Sequence, residues 1–217
     1  MRFLILSIAL LTLSASEAGA QRRGAGRKSV PAAPPKIEPV QFRCPEPLGL
    51  GVKTGAAYCF VLAGRDPEQG VRIPVPAHTG TASLIFDLHN RHTYSDEDIR
   101  AGRGFAKYTA VVAVLTMKSD LLGRGAVQAE FRSAKDLYER ISGGAGPGGV
   151  KAVAPLGSEE VRVEIPAAVN EVSILGEVLD ATTAAGHETA TQGRTVAVIS
   201  NVRVEYRPAP AKPAPKR

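Results

Sequence analysis

The sequence predicts an all-β protein, an antiparallel β-sandwich with about eight strands and at most one short helix. Apolar and polar residues alternate in short runs, and Gly, Pro, Asn and Asp residues interrupt these runs, which is typical of strands and turns. The runs follow one another at the spacing of a sandwich or barrel. Finally, Val71–Leu88 is repeated in register and without gaps by Val161–Val178, and two copies are too few for a solenoid or propeller.

In each copy of the repeat, a short alternating strand reaches a Pro, a small polar loop follows, and a second apolar strand begins. Five positions are identical between the copies: Val71/Val161, Arg72/Arg162, Pro76/Pro166, Ala77/Ala167 and Ser83/Ser173. We therefore expect the two copies to occupy related places in the sandwich, in facing sheets.

Residues 1–20 have the pattern of a secretory signal peptide. Arg2 supplies the positive charge, Phe3–Leu13 form an apolar region, and Ala18-Gly19-Ala20 provide small residues for cleavage. The apolar region is too short to cross a bilayer, and no longer apolar run follows. The sequence therefore predicts a secreted or periplasmic protein without a transmembrane span.

The charge distribution separates the ends of the chain from its body. Residues 1–40 contain six Lys/Arg and two acidic residues, and residues 207–217 contain four Lys/Arg and no acid, so residues 41–206 hold 17 basic and 19 acidic residues. We therefore predict a disordered Pro/Arg/Gly-rich linker at 21–40, a sandwich domain at 41–207 and a disordered Pro/Ala/Lys tail at 208–217. The basic ends could contact anionic surfaces, whereas the body lacks the charge excess of a nucleic-acid-binding domain.

Cys44 and Cys59 are the two cysteines of the chain. In an exported protein such a pair is expected to form a disulfide. The bridge would close a loop of about 15 residues, which the chain-entropy model associates with roughly 3 kcal/mol of stabilisation. Two cysteines at this spacing, without a nearby His, do not form a zinc site.

Alternation of side chains places the eight strands in order along the body. They are predicted at Tyr58–Ala63, Gln69–Pro76, Thr81–Asn90, Phe105–Met117, Gly125–Ser133, Glu160–Ile165, Glu171–Thr182 and Arg194–Tyr206. The prolines of Gln69–Pro76 indicate an edge strand. The β-branched run of Phe105–Met117 indicates a central strand, and Ser200-Asn201 predict a bulge in Arg194–Tyr206. The helical signal is Ser133–Ile141, with Ser133 and Asp136 as the caps.

Two segments resemble the galactose-binding-like jelly-roll domains of bacterial secreted proteins: Val75-Pro76-Ala77 through Phe86, and Ile165-Pro166-Ala167 through Val178. The last strand, Val196–Tyr206, is similar to the closing strand of such domains. The resemblance covers most of residues 58–206 and implies the sandwich fold and a role in binding glycans or cell surfaces. Ser200-Asn201 stand where these domains often carry an acidic pair, which argues against transferring a calcium site.

Residues 87–98 form the densest polar cluster of the chain, and three interpretations of it remain open. His89, His92 and either Asp96 or Asp98 could bind zinc, or the acidic residues 96–98 could bind calcium. Arg91, Tyr94 and Asp96 could instead form a lectin-like ligand site. In the third interpretation, Ser95 caps a short turn with Asp98 in a solvated loop. His89 and His92 would point to opposite faces unless the strand ends between them.

Catalytic motifs are missing from the sequence, which contains neither a Gly-x-Ser-x-Gly elbow nor a His-Glu-x-x-His helix. We therefore predict no enzyme, no catalytic residue and no cofactor beyond the open Ca or Zn interpretation. The expected function is an exported, non-catalytic binding or structural module of the bacterial cell envelope or exterior, with a glycan or an envelope protein as the partner. A carbohydrate-binding module and a metal-assisted hydrolase are the two alternatives.

Overall fold

The computed structural model describes residues 33–142 and 152–210, which form the two antiparallel sheets of a sandwich. The predicted all-β fold is confirmed. The strands are β1 (Lys36–Pro39), β2 (Pro47–Gly51), β3 (Ala57–Leu62), β4 (Val71–Pro74), β5 (Ala82–Tyr94), β6 (Ala106–Thr116), β7 (Leu121–Phe131), β8 (Ile141–Ser142), β9 (Ala152–Ile165), β10 (Glu171–Thr183), β11 (Gly186–Thr189) and β12 (Thr195–Tyr206).

The first sheet has seven strands, in the order β8-β2-β3-β12-β5-β9, with β1 paired to the second half of β12. The second sheet has five, in the order β11-β10-β6-β7, with β4 paired to the first half of β10. As predicted, β6 lies inside its sheet between β10 and β7, and β4 lies at an edge. The predicted bulge in β12 is also present, as a register shift between Ser200 and Arg203 opposite β5.

The main core lies between the two sheets and is built from alternate residues of the long strands. On β5, Leu84, Phe86 and Leu88 are fully buried, as their alternation predicted. Along one side of the sandwich, β7 packs closely against β9, because Gly123 and Gly125 have no side chains that would separate the two strands. A Cβ at Gly125 would lie 2.6 Å from a methyl group of Val161, so only glycine permits this approach.

The two copies of the sequence repeat are interlocked in the fold. The first copy leaves the second sheet with β4 and enters the first sheet with β5, and the second copy makes the reverse crossing with β9 and β10. Moreover, β4 pairs with β10 through Val71 and Ile174, and β5 pairs with β9 through Ala82 and Ile165. Each copy therefore completes the sheets of the other. The copies occupy related places as predicted, but each spans both sheets instead of lying in one of two facing sheets.

The boundaries of the sandwich differ from the predicted ones at both ends. Residues 36–39, which we assigned to the disordered linker, form β1 and pair with β12 from Lys36↔Tyr206 to Pro39↔Arg203. At the other end, the Ala209 N–H donates to the Ala77 carbonyl, so the chain remains attached to the body beyond residue 207. The predicted signal peptide, most of the linker and residues 211–217 lie outside the described residues.

The predicted disulfide is confirmed. Cys44 and Cys59 are bonded across a separation of 15 residues, with their Cα atoms 5.8 Å apart, and the bond fixes the segment before β2 onto β3. A disulfide is consistent with a compartment outside the cytoplasm. In the described part of the chain, no helix is long and apolar enough to cross a membrane.

The helical elements of the described chain are short. Ser133 and Asp136 form the predicted capping box, but the helix they cap is a single 3-10 turn, Ala134–Asp136, because the chain then becomes extended and crosses a sheet. The α-helix, α1 (Asp96–Arg100), begins after Ser95, whose hydroxyl accepts a hydrogen bond from the Asp98 N–H at 3.3 Å. This is the cap expected from the third interpretation of the polar cluster.

Candidate functional site

The polar end of β5 sends its two histidines to opposite faces of the first sheet. The strand does not end until Tyr94, so the alternation of its side chains continues past His92. The extra residue of the bulge opposite His89 lies in β9, where Gly157 has a φ of +58°. His92 therefore joins the main core, whereas His89 lies on the outer face.

The outer face at His89 is covered by residues 132–142, which we call the strap. The strap leaves β7, bridges to β9 through Leu137 and Leu156, and ends as β8 paired to β2. A second, smaller apolar cluster lies in this region and contains Tyr58, Phe60, Ile141 and Val198. The first sheet is therefore buried on both faces here.

Under the strap, both ring nitrogens of His89 have partners. Nδ1 donates to the Gly157 carbonyl at 2.7 Å, so Nε2 accepts from the Ser200 hydroxyl at 2.9 Å. The rings of Tyr58 and Tyr138 pack around the imidazole, with centroids 5.5 and 4.7 Å away. Burial lowers the pKa of His89 and keeps the ring neutral. Both ring nitrogens are engaged in hydrogen bonds within the fold.

Glu139 attaches the strap to the sheet. Its carboxylate accepts hydrogen bonds from the Lys53 N–H at 2.5 Å, the Thr54 N–H at 2.7 Å, the Thr54 hydroxyl at 2.6 Å and the Tyr58 hydroxyl at 2.8 Å. Burial alone would raise the pKa of Glu139, but these donors outweigh it and hold the pKa below its usual value. A buried carboxylate with four donors is a structural anchor.

The inner histidine faces a cavity of about 400 Å³ at one end of the sandwich, which we call the end cleft. It lies where β5 ends, β6 begins and the β10–β11 hairpin turns. The residues that line it include Arg91, His92, Arg103, Phe105, Tyr108 and Glu188. The cleft thus combines aromatic and charged groups from four separate parts of the chain.

His92 and Tyr108 form the floor of the end cleft. Nδ1 of His92 lies 2.7 Å from the Tyr108 hydroxyl, and the imidazole stacks on Phe131 with a centroid distance of 3.9 Å. Burial, assisted by the charge of Arg91, lowers the pKa of His92 to about 4. Burial raises the pKa of Tyr108 to about 12; the charge of Arg91 opposes this shift, and the charge of Glu188 adds to it by a smaller amount. Both groups are neutral at pH 7, and Nε2 of His92 has no hydrogen-bond partner among the described residues.

The charged groups at the rim of the end cleft differ in their pairing. Arg103 and Asp98 form an ion pair at 3.0 Å. Arg91 and Glu188 have no ion-pair partner within 4.0 Å in the described chain. Phe105 stands beside them with 43% of its surface exposed. The end cleft therefore offers an open cation, an open anion and an uncovered aromatic ring.

The residues predicted for a ligand site are only partly brought together. Arg91 lines the end cleft, but Tyr94 is buried against Phe131 and Arg140, and its hydroxyl donates to Asp96. Tyr94 is 6% exposed and offers no free ring face, so it cannot serve as a platform for a sugar. Neither Tyr94 nor Asp96 lines the end cleft.

The four residues of the predicted metal site remain apart. His89 and His92 lie on opposite faces of β5, and Asp98 pairs with Arg103. In the described ranges, no group of three His, Cys, Asp or Glu side chains is placed to hold a metal ion.

Sequence reasoning missed Phe105, Tyr108 and Glu188 as cleft residues. Phe105 precedes a strand and Tyr108 lies within it, where ordinary core residues are expected, and Glu188 lies in a short strand that was not predicted. The usable signal was the aromatic residue directly after Gly102-Arg103-Gly104, since an aromatic side chain at a strand end next to a turn can remain exposed.

Searches against known proteins do not place the chain in a family. No protein-family model matches it, and no curated protein matches it significantly. Among solved structures, it is similar to a chain of "the T13 IBDV viral particle", at 12% identity and with a TM-score of 0.20. The match covers 86% of this chain and 44% of the viral chain, and a TM-score this low carries no argument about fold or function.

Proposed function

We propose that this protein is an exported, non-catalytic binding module of the bacterial cell envelope or exterior, and that the end cleft is its ligand site. The observation that carries the proposal is the cleft itself. Its volume of about 400 Å³ lies in the range of small-molecule sites. It also presents polar groups with unused hydrogen-bonding capacity, whereas both ring nitrogens of His89 are used within the fold.

Export is supported by two independent features. The first is the signal-like pattern of residues 1–20, and the second is the bond between Cys44 and Cys59. Membership of the galactose-binding-like class is part of the proposal and rests on the two Pro-Ala segments of the repeat. The basic ends of the chain would serve as contacts with anionic surfaces of the envelope.

A carbohydrate-binding module is the second candidate, and Phe105 is the observation that favours it. Sugar rings often rest on aromatic faces, and Phe105 offers such a face beside polar side chains. The stacking residue would therefore be Phe105 in place of the predicted Tyr94.

A thermal-melt screen tests the proposal on the purified protein with panels of sugars, organic acids and amino acids. A ligand at about 100 times its dissociation constant adds roughly 2.7 kcal/mol, which raises the melting temperature by a few degrees. We expect a shift that Phe105→Ser abolishes. The matched control is Leu121→Ser, because Leu121 is 45% exposed but lies outside the cleft. Shifts that survive Phe105→Ser, or no shift with any panel, would refute the proposed site.

A further inference from the structure

Arg91 is the unpaired positive charge of the end cleft. The other guanidinium at the rim, that of Arg103, is already neutralised by Asp98 at 3.0 Å. Arg91 has no acidic group within 4.0 Å in the described chain, although it is only partly exposed. Its charge also reaches the floor, where it acts on both His92 and Tyr108. A partly buried arginine that has no ion-pair partner in the described chain is a favourable site for an anion.

The Glu188 carboxylate, the unpaired negative group of the cleft, should contribute less to ligand selectivity than Arg91. Glu188 lies in β11, whose four residues are all exposed, so water hydrates its carboxylate and screens its charge. Arg91 and Glu188 are therefore not equivalent. Arg91 is partly buried and acts on both His92 and Tyr108, whereas exposed Glu188 acts only on Tyr108 and more weakly than Arg91 does.

His92 supplies a hydrogen-bond donor at the floor of the same cleft, which Arg91 also lines. The Tyr108 hydroxyl can donate to Nδ1 at 2.7 Å, which places the ring proton on Nε2, the nitrogen without a partner among the described residues. An anion in the cleft would select this tautomer. The imidazole stays neutral at pH 7 because its pKa is about 4, so it acts as a hydrogen-bond donor and not as a cation.

From this arrangement we infer that the end cleft binds a small organic carboxylate, whose carboxylate pairs with Arg91 and His92 and whose apolar body rests on Phe105. The inference rests on the proposed function of the cleft and specifies its ligand chemistry. A guanidinium binds a carboxylate through two parallel hydrogen bonds, and the exposed ring of Phe105 covers the remainder of the molecule. An acidic sugar and an aromatic acid both satisfy this description.

Calorimetric titration of the purified protein with matched pairs of compounds tests the inference. Glucuronate is compared with glucose, and benzoate with benzyl alcohol, so that each pair differs mainly in the carboxylate. We expect at least one acid to bind about ten- to a hundred-fold more tightly than its neutral partner. The pair that shows this preference distinguishes an acidic sugar from an aromatic acid.

Arg91→Gln should remove that preference, and Arg91→Lys should restore it only in part, because lysine lacks the planar fork. The control is Arg207→Gln, which removes the same charge from an exposed residue following β12, remote from the end cleft. Melting curves of all variants verify folding. Equal binding of acids and neutral compounds, or no effect of Arg91→Gln, overturns the inference. If no acid binds but another compound binds in a Phe105-dependent manner, the inference fails while the proposed function stands.

Discussion

His89 and His92 lie three residues apart on one strand, are both buried and both neutral, yet their surroundings differ completely. Under the strap, each nitrogen of His89 is hydrogen-bonded within the protein, and the neighbouring Glu139 accepts four hydrogen bonds. In the end cleft, Nε2 of His92 has no hydrogen-bond partner among the described residues. Burial of a polar residue therefore does not indicate function. The informative quantity is the hydrogen-bonding capacity that the fold leaves unused.

Glu139→Ala should reduce the free energy of unfolding more than any other substitution proposed, because it disrupts the hydrogen-bonded cluster beneath the strap. The substitution leaves the Lys53 and Thr54 N–H groups and two hydroxyls without their acceptor. We expect the free energy of unfolding to fall by about 3–4 kcal/mol. Urea denaturation measures this loss, and Glu159→Ala, at an exposed position of β9, should change stability by less than about 0.5 kcal/mol. A similar small loss in Glu139→Ala would show that the strap is held by its apolar contacts.

The lowered pKa of His92 should appear in the pH dependence of protein stability. Unfolded His92 takes up a proton below its ordinary pKa of 6.5, but folded His92 does so only near pH 4. The unfolded state thus binds more protons in this window, and the stability falls as the pH decreases from 6.5 to 4, by up to about 3 kcal/mol. His92→Gln should flatten this part of the curve relative to the wild type. His89 and Glu139 titrate in both proteins, so an unchanged slope would show that His92 titrates normally.

Ser200→Ala should have a smaller effect on the region beneath the strap. It removes the donor to Nε2 of His89 and leaves one buried acceptor without a partner. We expect a loss of about 1–2 kcal/mol in urea denaturation, with no change in ligand binding at the end cleft. Exposed Ser142, whose hydroxyl donates to the Leu50 carbonyl, provides the control Ser142→Ala with a loss below about 0.5 kcal/mol. Equal losses would contradict the distinction between the two serines.

The regular part of the fold could be predicted because its signals are local. All eight predicted strands are present, and so are the bulge at Ser200-Asn201 and the caps at Ser95 and Ser133. The strands that were missed are short or rich in Gly and Pro, as in Pro47–Gly51, and they exist because a neighbouring strand supplies their hydrogen bonds. Pairing of this kind depends on residues far away in the chain, which alternation does not reveal.

The end cleft was only partly predictable for the same reason. Arg91 and Asp98 belong to the polar cluster that the sequence singled out, but Phe105, Tyr108 and Glu188 reach the cleft through the registers of β6 and β11. The anchoring role of Glu139 was likewise hidden. Its partners lie more than 80 positions earlier in the chain, and no pattern around residue 139 refers to them.

The interlocked repeat makes part of the strand pairing depend on segments that are far apart in the chain. Since β4 and β5 find their partners in β10 and β9, neither copy has a neighbour within itself to pair with. A fragment that ends after β5 would carry two strands with open edges and should remain unfolded or aggregate. The pairing of β4 and β5 with the second copy can form only after β9 and β10 are present, and contacts that distant in sequence slow folding. The pairings between the two copies thus join distant parts of the chain within both sheets.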